Sequence, residues 1–207
     1  EGSISFSALS NPKSVIDFFS KYFEEVLPLL DNFPNLFFQN PTGKLATVYA
    51  DQWQYNNQYC LVGDAAHAVV PFFGQGMNAS FEDCEVFMKC LDKAQGNWGT
   101  VCEKYSTVRR SDGHAIADMA IENYVEMRDL VTKKEFLNTK KISNILFERF
   151  PERFIPRYNM VSFTSIPYSE VYRRGKIQAE IIKNINPENP DMNLAEELIM
   201  KKLNPIL

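Results

Sequence analysis

The chain has 207 residues, 45% of them hydrophobic and 23% charged, with a formal net charge of -4. That balance supports a sizeable buried core and excludes the compositional signature of a disordered segment. The 22 Lys and Arg residues are dispersed rather than gathered in one stripe, which excludes the basic footprint of a nucleic-acid binder.

Taken in chain order, Ser3 to Leu9 alternates loosely and predicts a short strand. Asn11 and Pro12 then open a helix in which Val15, Ile16, Phe18, Phe19, Tyr22 and Phe23 recur at helical spacing, and Pro28 bends or ends it. Residues 35–60 carry β-branched and aromatic side chains between turn signals at PTG (41–43) and YNNQ (55–58), which predicts strands, the last over Tyr59 to Val62. From Ser80 the pattern is helical, with Phe81, Cys84, Phe87, Met88 and Leu91 on one face, until the break at QGNWG (95–99). A second helical stretch runs from about Val101 to Leu137, with a kink expected near Gly113. Two prolines in FPERFIPRY (150–158) interrupt the pattern, a helix follows from Tyr168 to Ile185, and NPENP (186–190) leads to a last helix over Leu194 to Leu203. No run approaches the roughly 20 apolar residues of a membrane span. The opening EGSISFSALS has neither a methionine start nor a targeting pattern, so the sequence reads as part of a longer protein.

Cys60, Cys84, Cys90 and Cys102 form no CxxC pair, and none stands at a ligand spacing from His67 or His114. They read as core or near-core residues of a reducing compartment, and no metal site is expected.

Chemistry concentrates in YCLVGDAAHAVVPFFGQGMNASFEDCEVF (59–87). A strand that ends in Gly63-Asp64 places a carboxylate at its C-terminal edge, where glycine lets backbone approach a ligand and Asp64 can accept from a sugar hydroxyl. Pro71 and Phe73 belong to a turn that leads into Gly74 and Gly76. The glycines leave backbone N–H groups uncovered at a helix start, suited to an anion such as the pyrimidine end of a reduced flavin. Read alone, Gly-Asp is an ordinary strand-to-helix turn and 74–78 a capping loop. Asn123 lies on a helical face with Ile116, Met119, Ala120, Met127 and Leu130, and an amide in such a stripe needs a partner. A core asparagine bonded to backbone satisfies the same pattern. His67 reads as part of a packed turn rather than a general base, and Phe72 and Phe73 as core side chains able to shield a ring from water.

The run 59–87 resembles the second FAD motif of the flavin-dependent aromatic hydroxylases, and DAAHAVVPFFGQGMNASFEDC is closely similar to the kynurenine-hydroxylating members of that family. The similarity continues through NYVEMR (123–128) and FIPRYNMVSF (154–163), is weaker at DFFSKYF (17–23), and thins after Arg174. It implies an α+β or α/β fold: an FAD-binding Rossmann-like domain completed by an N-terminal part, a β-sheet substrate domain and a helical C-terminal region. Residues 1–50 would end the sheet domain, 51–95 carry the second FAD motif, 96–185 line the substrate pocket and 186–207 form a tail helix. By resemblance, Gly63, Asp64, Pro71, Gly74, Gly76, Met77 and Asn78 contact FAD. Asn123 and Tyr158 hold the head group of L-kynurenine, and Glu126, Met127 and Phe73 line its pocket. NADPH and dioxygen are the implied co-substrates, with a hydroperoxide of the reduced flavin supplying the oxygen and no protein group acting as catalyst. Hydroxylation of another anionic aromatic, or a non-catalytic flavoprotein piece, remain alternatives. No GxGxxG fingerprint occurs in the sequence, so the pyrophosphate seat, and the arginine for the substrate carboxylate, are expected in the N-terminal part. The resemblance also implies the cytosolic face of the mitochondrial outer membrane, with surface contact through the basic, partly amphipathic stretch 172–185.

Overall fold

A computed structural model describes residues 4–186 and 188–206. The chain divides into two units, Glu1–Leu45 and Ala46–Leu207. In the first, helix α1 (Pro12–Tyr22) begins where the sequence says it should. The Asn11 side chain accepts from the Ser14 N–H at 3.0 Å, Ser14 Oγ accepts from the Asn11 N–H at 3.3 Å, and Pro12 fills the first helical position. Helix α2 (Asn35–Gln39) carries Phe37 toward Phe19 and Phe33, whose rings meet edge to face at 4.5 Å between centroids.

Sheet was overestimated in this part of the chain. Within the expected strand at 3–9, residues 6–8 form a 3-10 turn, and Ser3 lies outside the described residues. Pro28 sits inside a second 3-10 turn, Glu24–Leu29. Among the described residues no strand precedes Gln54, so 4–50 contain no sheet. The physical reason is pairing. The N–H groups of Val48 and Ala50 donate to Ala68 and Ala66, at 2.8 and 3.4 Å, rather than to a neighbouring strand.

In the second unit a hairpin pairs β1 (Gln54–Tyr55) with β2 (Tyr59–Cys60), antiparallel, with Gln54 opposite Cys60. Asn56 and Asn57 both have positive φ, as a tight hairpin turn demands. After it come α3 (Asp64–His67), a 3-10 turn at Pro71–Phe73, α4 (Gly76–Lys93) and the long α5 (Trp98–Val125). A π turn (Glu126–Leu130) then precedes α6 (Lys134–Arg149), α7 (Arg157–Phe163), α8 (Tyr168–Asn184) and α9 (Met192–Lys202). Helix α5 is central, with α4 and α8 packed along it.

The expected kink at Gly113 does not occur: α5 is continuous there, and the interruption falls at the π turn and residues 131–133. Gly113 serves packing instead, since a Cβ would stand 2.7 Å from the Trp53 ring. The apolar face expected on α4 is also split. Ala79, Asp83 and Cys90 face inward, while Phe81 and Met88 are exposed. Cys84 is exposed and Cys60 half-buried, so only Cys90 and Cys102 are core cysteines. The apolar side chains of α8, Val171, Ile181 and Ile182, are buried, so its amphipathic face is already covered by protein. No helix among the described residues is long and apolar enough to cross a membrane.

Candidate functional site

The first glycine turn, at Gly63, is held by a buried ionic network. Asp83, on the inward face of α4, accepts from the Gly63 N–H at 2.9 Å and from His67 Nε2 at 2.6 Å, both on Oδ2. Arg109 of α5 donates to Asp83 Oδ1 at 2.8 Å and pairs with Glu82 at 3.0 Å and Asp112 at 3.2 Å. Asp112 in turn accepts from the Ser169 N–H at the start of α8, at 2.9 Å. Burial by itself would raise the pKa of Asp83. The hydrogen bonds from His67, Arg109 and Gly63 overcome it and hold the carboxyl below the ordinary value. His67 is 1% exposed, stacks on Trp53 at 5.1 Å, and has no partner for Nδ1 among the described residues. It is a structural member of a packed turn.

That network fixes an open surface. Gly63 has φ 64° and ψ -141°, a conformation essentially reserved for glycine, and Asp64 follows it, exposed, as the first residue of α3. Pro71 and Gly74 are exposed, and Gly74 is left-handed with φ 66° and ψ 22°. Helix α4 then starts at Gly76 with no side-chain cap, which leaves the first-turn N–H groups of Gly76, Met77 and Asn78 without helical acceptors. Met77 is 68% exposed and Asn78 is exposed as well. Gln75, just before the helix, is oriented from two sides: its Oε1 accepts from Asn78 at 3.0 Å and from Tyr168 at 3.1 Å. Burial and the nearby Glu82 carboxylate push the Tyr168 hydroxyl up to about 12, so it remains a donor at neutral pH.

The second group of nominated residues surrounds a cavity of about 700 Å³. Phe73, Asn123, Glu126 and Tyr158 all line it, although they come from the 3-10 turn, α5, the π turn and α7. Phe73 is buried and stacks on the Tyr158 ring, with centroids 5.7 Å apart. Asn123 Nδ2 donates to the Phe72 carbonyl at 2.7 Å, the backbone bond that a core asparagine would make, and lies 3.8 Å from Met127 Sδ. Met127 itself is 54% exposed and does not line the cavity. The Tyr158 hydroxyl has no partner among the described residues.

Of the charged lining residues the sequence points to Glu126 alone. Arg157 NH1 donates to Glu122 and NH2 to Glu126 at 2.9 Å, while Lys140 stands 3.3 Å from Glu126. The spacing of Glu122 and Glu126, four apart across the end of α5, and of Arg157 beside Tyr158 is legible, but nothing in the sequence pairs them across 31 to 35 positions. Among the described residues no cluster of His, Cys, Asp and Glu can hold a metal ion.

The FAD binding domain family matches residues 31–120, the stretch that contains both glycine turns and the Asp83 network. The particular relatives are kynurenine 3-monooxygenases, which this chain resembles along its length. That of Myxococcus xanthus is 39% identical over 212 residues, covering 100% of this chain and 46% of the relative. That of Dictyostelium discoideum is 38% identical over 223 residues, 99% of this chain and 48% of the relative. That of Cytophaga hutchinsonii is 41% identical over 186 residues, 89% and 41%. The chain thus spans less than half the length of the curated relatives it matches.

Proposed function

We propose that this chain forms the flavin-facing turns and the substrate pocket of an FAD- and NADPH-dependent enzyme that hydroxylates L-kynurenine to 3-hydroxykynurenine with dioxygen. The observation that carries the reading is the shared cavity. Phe73, Asn123, Glu126 and Tyr158 reach one space of about 700 Å³, ample for an amino acid with an aromatic side chain. Phe73 is joined directly to Gly74, so the cavity wall continues into the glycine turn.

The residues of the turns fit a flavin. Asp64 is exposed and able to accept from a ribityl hydroxyl, and Gly74 has open space where a Cβ would point. The uncapped first turn of α4 offers Gly76, Met77 and Asn78 N–H groups to the anionic pyrimidine end. Pro71 and Gly63 set the two backbone bends. When bound, FAD supplies the redox chemistry that activates dioxygen. The protein's own contribution is to bind and orient: Phe72 and Phe73 exclude water, Asn123 holds the turn while offering its amide oxygen, and Tyr158 presents a free hydroxyl to the substrate head. Residues 51–95 then serve the flavin, 96–185 the pocket, and 186–207 the tail. The pyrophosphate seat and the cation for the substrate carboxylate come from a further, N-terminal part of the protein. Arg157 and Lys140 are already matched by Glu122 and Glu126, so the pocket has no spare positive charge among its described lining residues. The cytosolic face of the mitochondrial outer membrane is the location this reading carries, without a role for the covered face of α8.

The test is NADPH oxidation by the full-length protein with L-kynurenine, read beside flavin absorbance and product. Kynurenine-stimulated oxidation with 3-hydroxykynurenine as product is expected. Tyr158→Phe should raise the apparent substrate constant about five- to tenfold, the worth of one lost hydrogen bond of roughly 1–1.5 kcal/mol, with FAD content unchanged. It is a cleaner probe than Asn123→Ala, which also frees the Phe72 carbonyl. A full-length protein that retains FAD but forms no hydroxylated kynurenine would overturn the proposal.

A further inference from the structure

We infer that Arg157 is a positioning residue for the substrate pocket, one guanidinium fork that sets the places of the three segments bearing Asn123, Glu126 and Tyr158. The inference rests on the proposed kynurenine pocket and adds a residue to it. Arg157 is the first residue of α7, is about four-fifths buried, and lines the cavity. One arm of its guanidinium donates to Glu122 near the end of α5, the other to Glu126 at the start of the π turn, at 2.9 Å. The fork therefore bears on the cavity lining from three places: Glu122 stands one residue before Asn123, Glu126 lines the cavity itself, and Arg157 stands one residue before Tyr158.

The arrangement needs an arginine. A planar fork can satisfy two carboxylates four residues apart, whereas an ammonium is a single point charge that sits on one of them. Without the fork, Glu122 and Glu126 face each other as like charges on one helical side, which opposes the turn between them. The π turn begins at Glu126 itself, so the fork ties the last turn of α5 to the start of the π turn. The remaining bonds close the lattice: the Tyr172 hydroxyl donates to Glu122 at 3.3 Å and Lys140 reaches Glu126 at 3.3 Å. With both terminal nitrogens bonded to carboxylates, the charge of Arg157 is already matched, and it is not the residue that receives the substrate carboxylate.

A second feature supports the same role. The stem of Arg157 crosses α8 at Gly175, where a Cβ would lie 2.9 Å from Arg157 Cδ and 3.4 Å from Cγ. Gly175 is the site in α8 that gives the arginine its path. An alanine there keeps every charge of the pocket and displaces the fork.

The experiment uses the full-length protein loaded with FAD, and four variants: Arg157→Lys, Arg157→Gln, Glu122→Gln and Gly175→Ala. For each, the dissociation constant of L-kynurenine is taken from the change in flavin absorbance on binding. It is set beside KM, kcat, FAD occupancy and melting temperature. The expected result is a weakening of kynurenine binding by about ten- to a hundredfold in both Arg157 variants. A smaller loss is expected in Glu122→Gln and Gly175→Ala, with FAD occupancy and melting temperature near those of the parent. Full affinity in Arg157→Lys beside a loss in Arg157→Gln would show a simple charge contact and overturn the positioning role. Loss of FAD and of melting temperature in all four would assign the residue to folding alone, and overturn it too. Parent-like binding in all variants sinks the inference and leaves the proposed function standing. A parent protein that does not bind kynurenine sinks both.

Discussion

The two glycine turns and the α5–α8 cavity are built in opposite ways. At the turns, most of the charge lies behind the surface: Asp83, His67 and Arg109 are buried, and what reaches the solvent is Asp64 beside buried Gly63, the backbone at Gly74, and Met77 and Asn78 at the start of α4. In the cavity, charge lies on the wall itself, where Arg157, Glu122, Glu126 and Lys140 pair across the space they line. The first design fixes backbone so that N–H groups can serve a ligand without moving. The second fixes the side chains that flank a ligand. A surface held from behind should be broken by removing its hidden support, and barely disturbed by changes at its face.

The largest effect is therefore expected from Asp83→Ala. Removing the shared acceptor leaves buried His67 Nε2 and the Gly63 N–H without their partner and Arg109 with Glu82 and Asp112 alone among its carboxylates, and breaking a buried pair in this way costs up to about 3–5 kcal/mol. Urea unfolding of the full-length protein measures it, and a loss below about 1 kcal/mol would show that the network does not hold the turn. The pH dependence has a definite sign. The folded carboxyl titrates below its unfolded value. Its stabilisation is therefore complete above the unfolded value of about 4 and is lost as pH falls through the lowered folded value. Asp83→Asn should remove that part of the acid sensitivity.

Gly63→Ala comes next. The residue's φ of 64° with ψ of -141° is available to glycine almost alone, at a cost of about 1–3 kcal/mol for any side chain. An added Cβ would also press on Ser80 Oγ at 3.3 Å. Because Gly63 donates to Asp83, the strain should pass into the network. Asp83→Ala and Gly63→Ala combined should then cost less than the sum of the two, a coupling that a double-mutant cycle reads directly.

How much of this was readable in advance depends on the range of the interaction. The helix at Pro12, the Asn-Asn hairpin turn and the glycine bends are local, and residue type with spacing of a few positions dictated them. The residues gathered at the cavity came from family resemblance, and the structure brings Phe73, Asn123, Glu126 and Tyr158 to one space. What periodicity could not supply was partnership. Residues 35–53 have strand-forming side chains and no strand beside them, so α2 and irregular chain result. Apolar positions at helical spacing suggested that Phe81 and Met88 were core, yet small Ala79 and charged Asp83 take the inward face of α4, because Arg109 lies 26 positions away in sequence and 2.8 Å away in space. A long-range ion pair has no local signature, and Arg157 was missed for the same reason.

The smallest effect on folding, and the sharpest on function, is expected from Gly74→Ala. Gly74 is left-handed, with φ 66° and ψ 22°, a region that an alanine enters at a cost of roughly 1–2 kcal/mol. Nothing lies within 4 Å of the position its Cβ would take, so no packing is lost and the strain stays local. If the turn were only a link between Phe73 and α4, the change would appear as that modest loss of stability and nothing more. If the open space is where a flavin approaches backbone, the added methyl group stands in the cofactor's place. FAD affinity should then fall by about tenfold or more, equivalent to 1.4 kcal/mol or above. Titrating FAD into the flavin-free full-length protein, beside urea unfolding of that same preparation, separates the two. Reduced affinity in Gly74→Ala at near-parent stability would locate the flavin at this surface. Unchanged affinity would mean that the space before Gly74 faces solvent or another part of the protein, and the flavin contacts would have to be sought at Asp64 and the first turn of α4 alone.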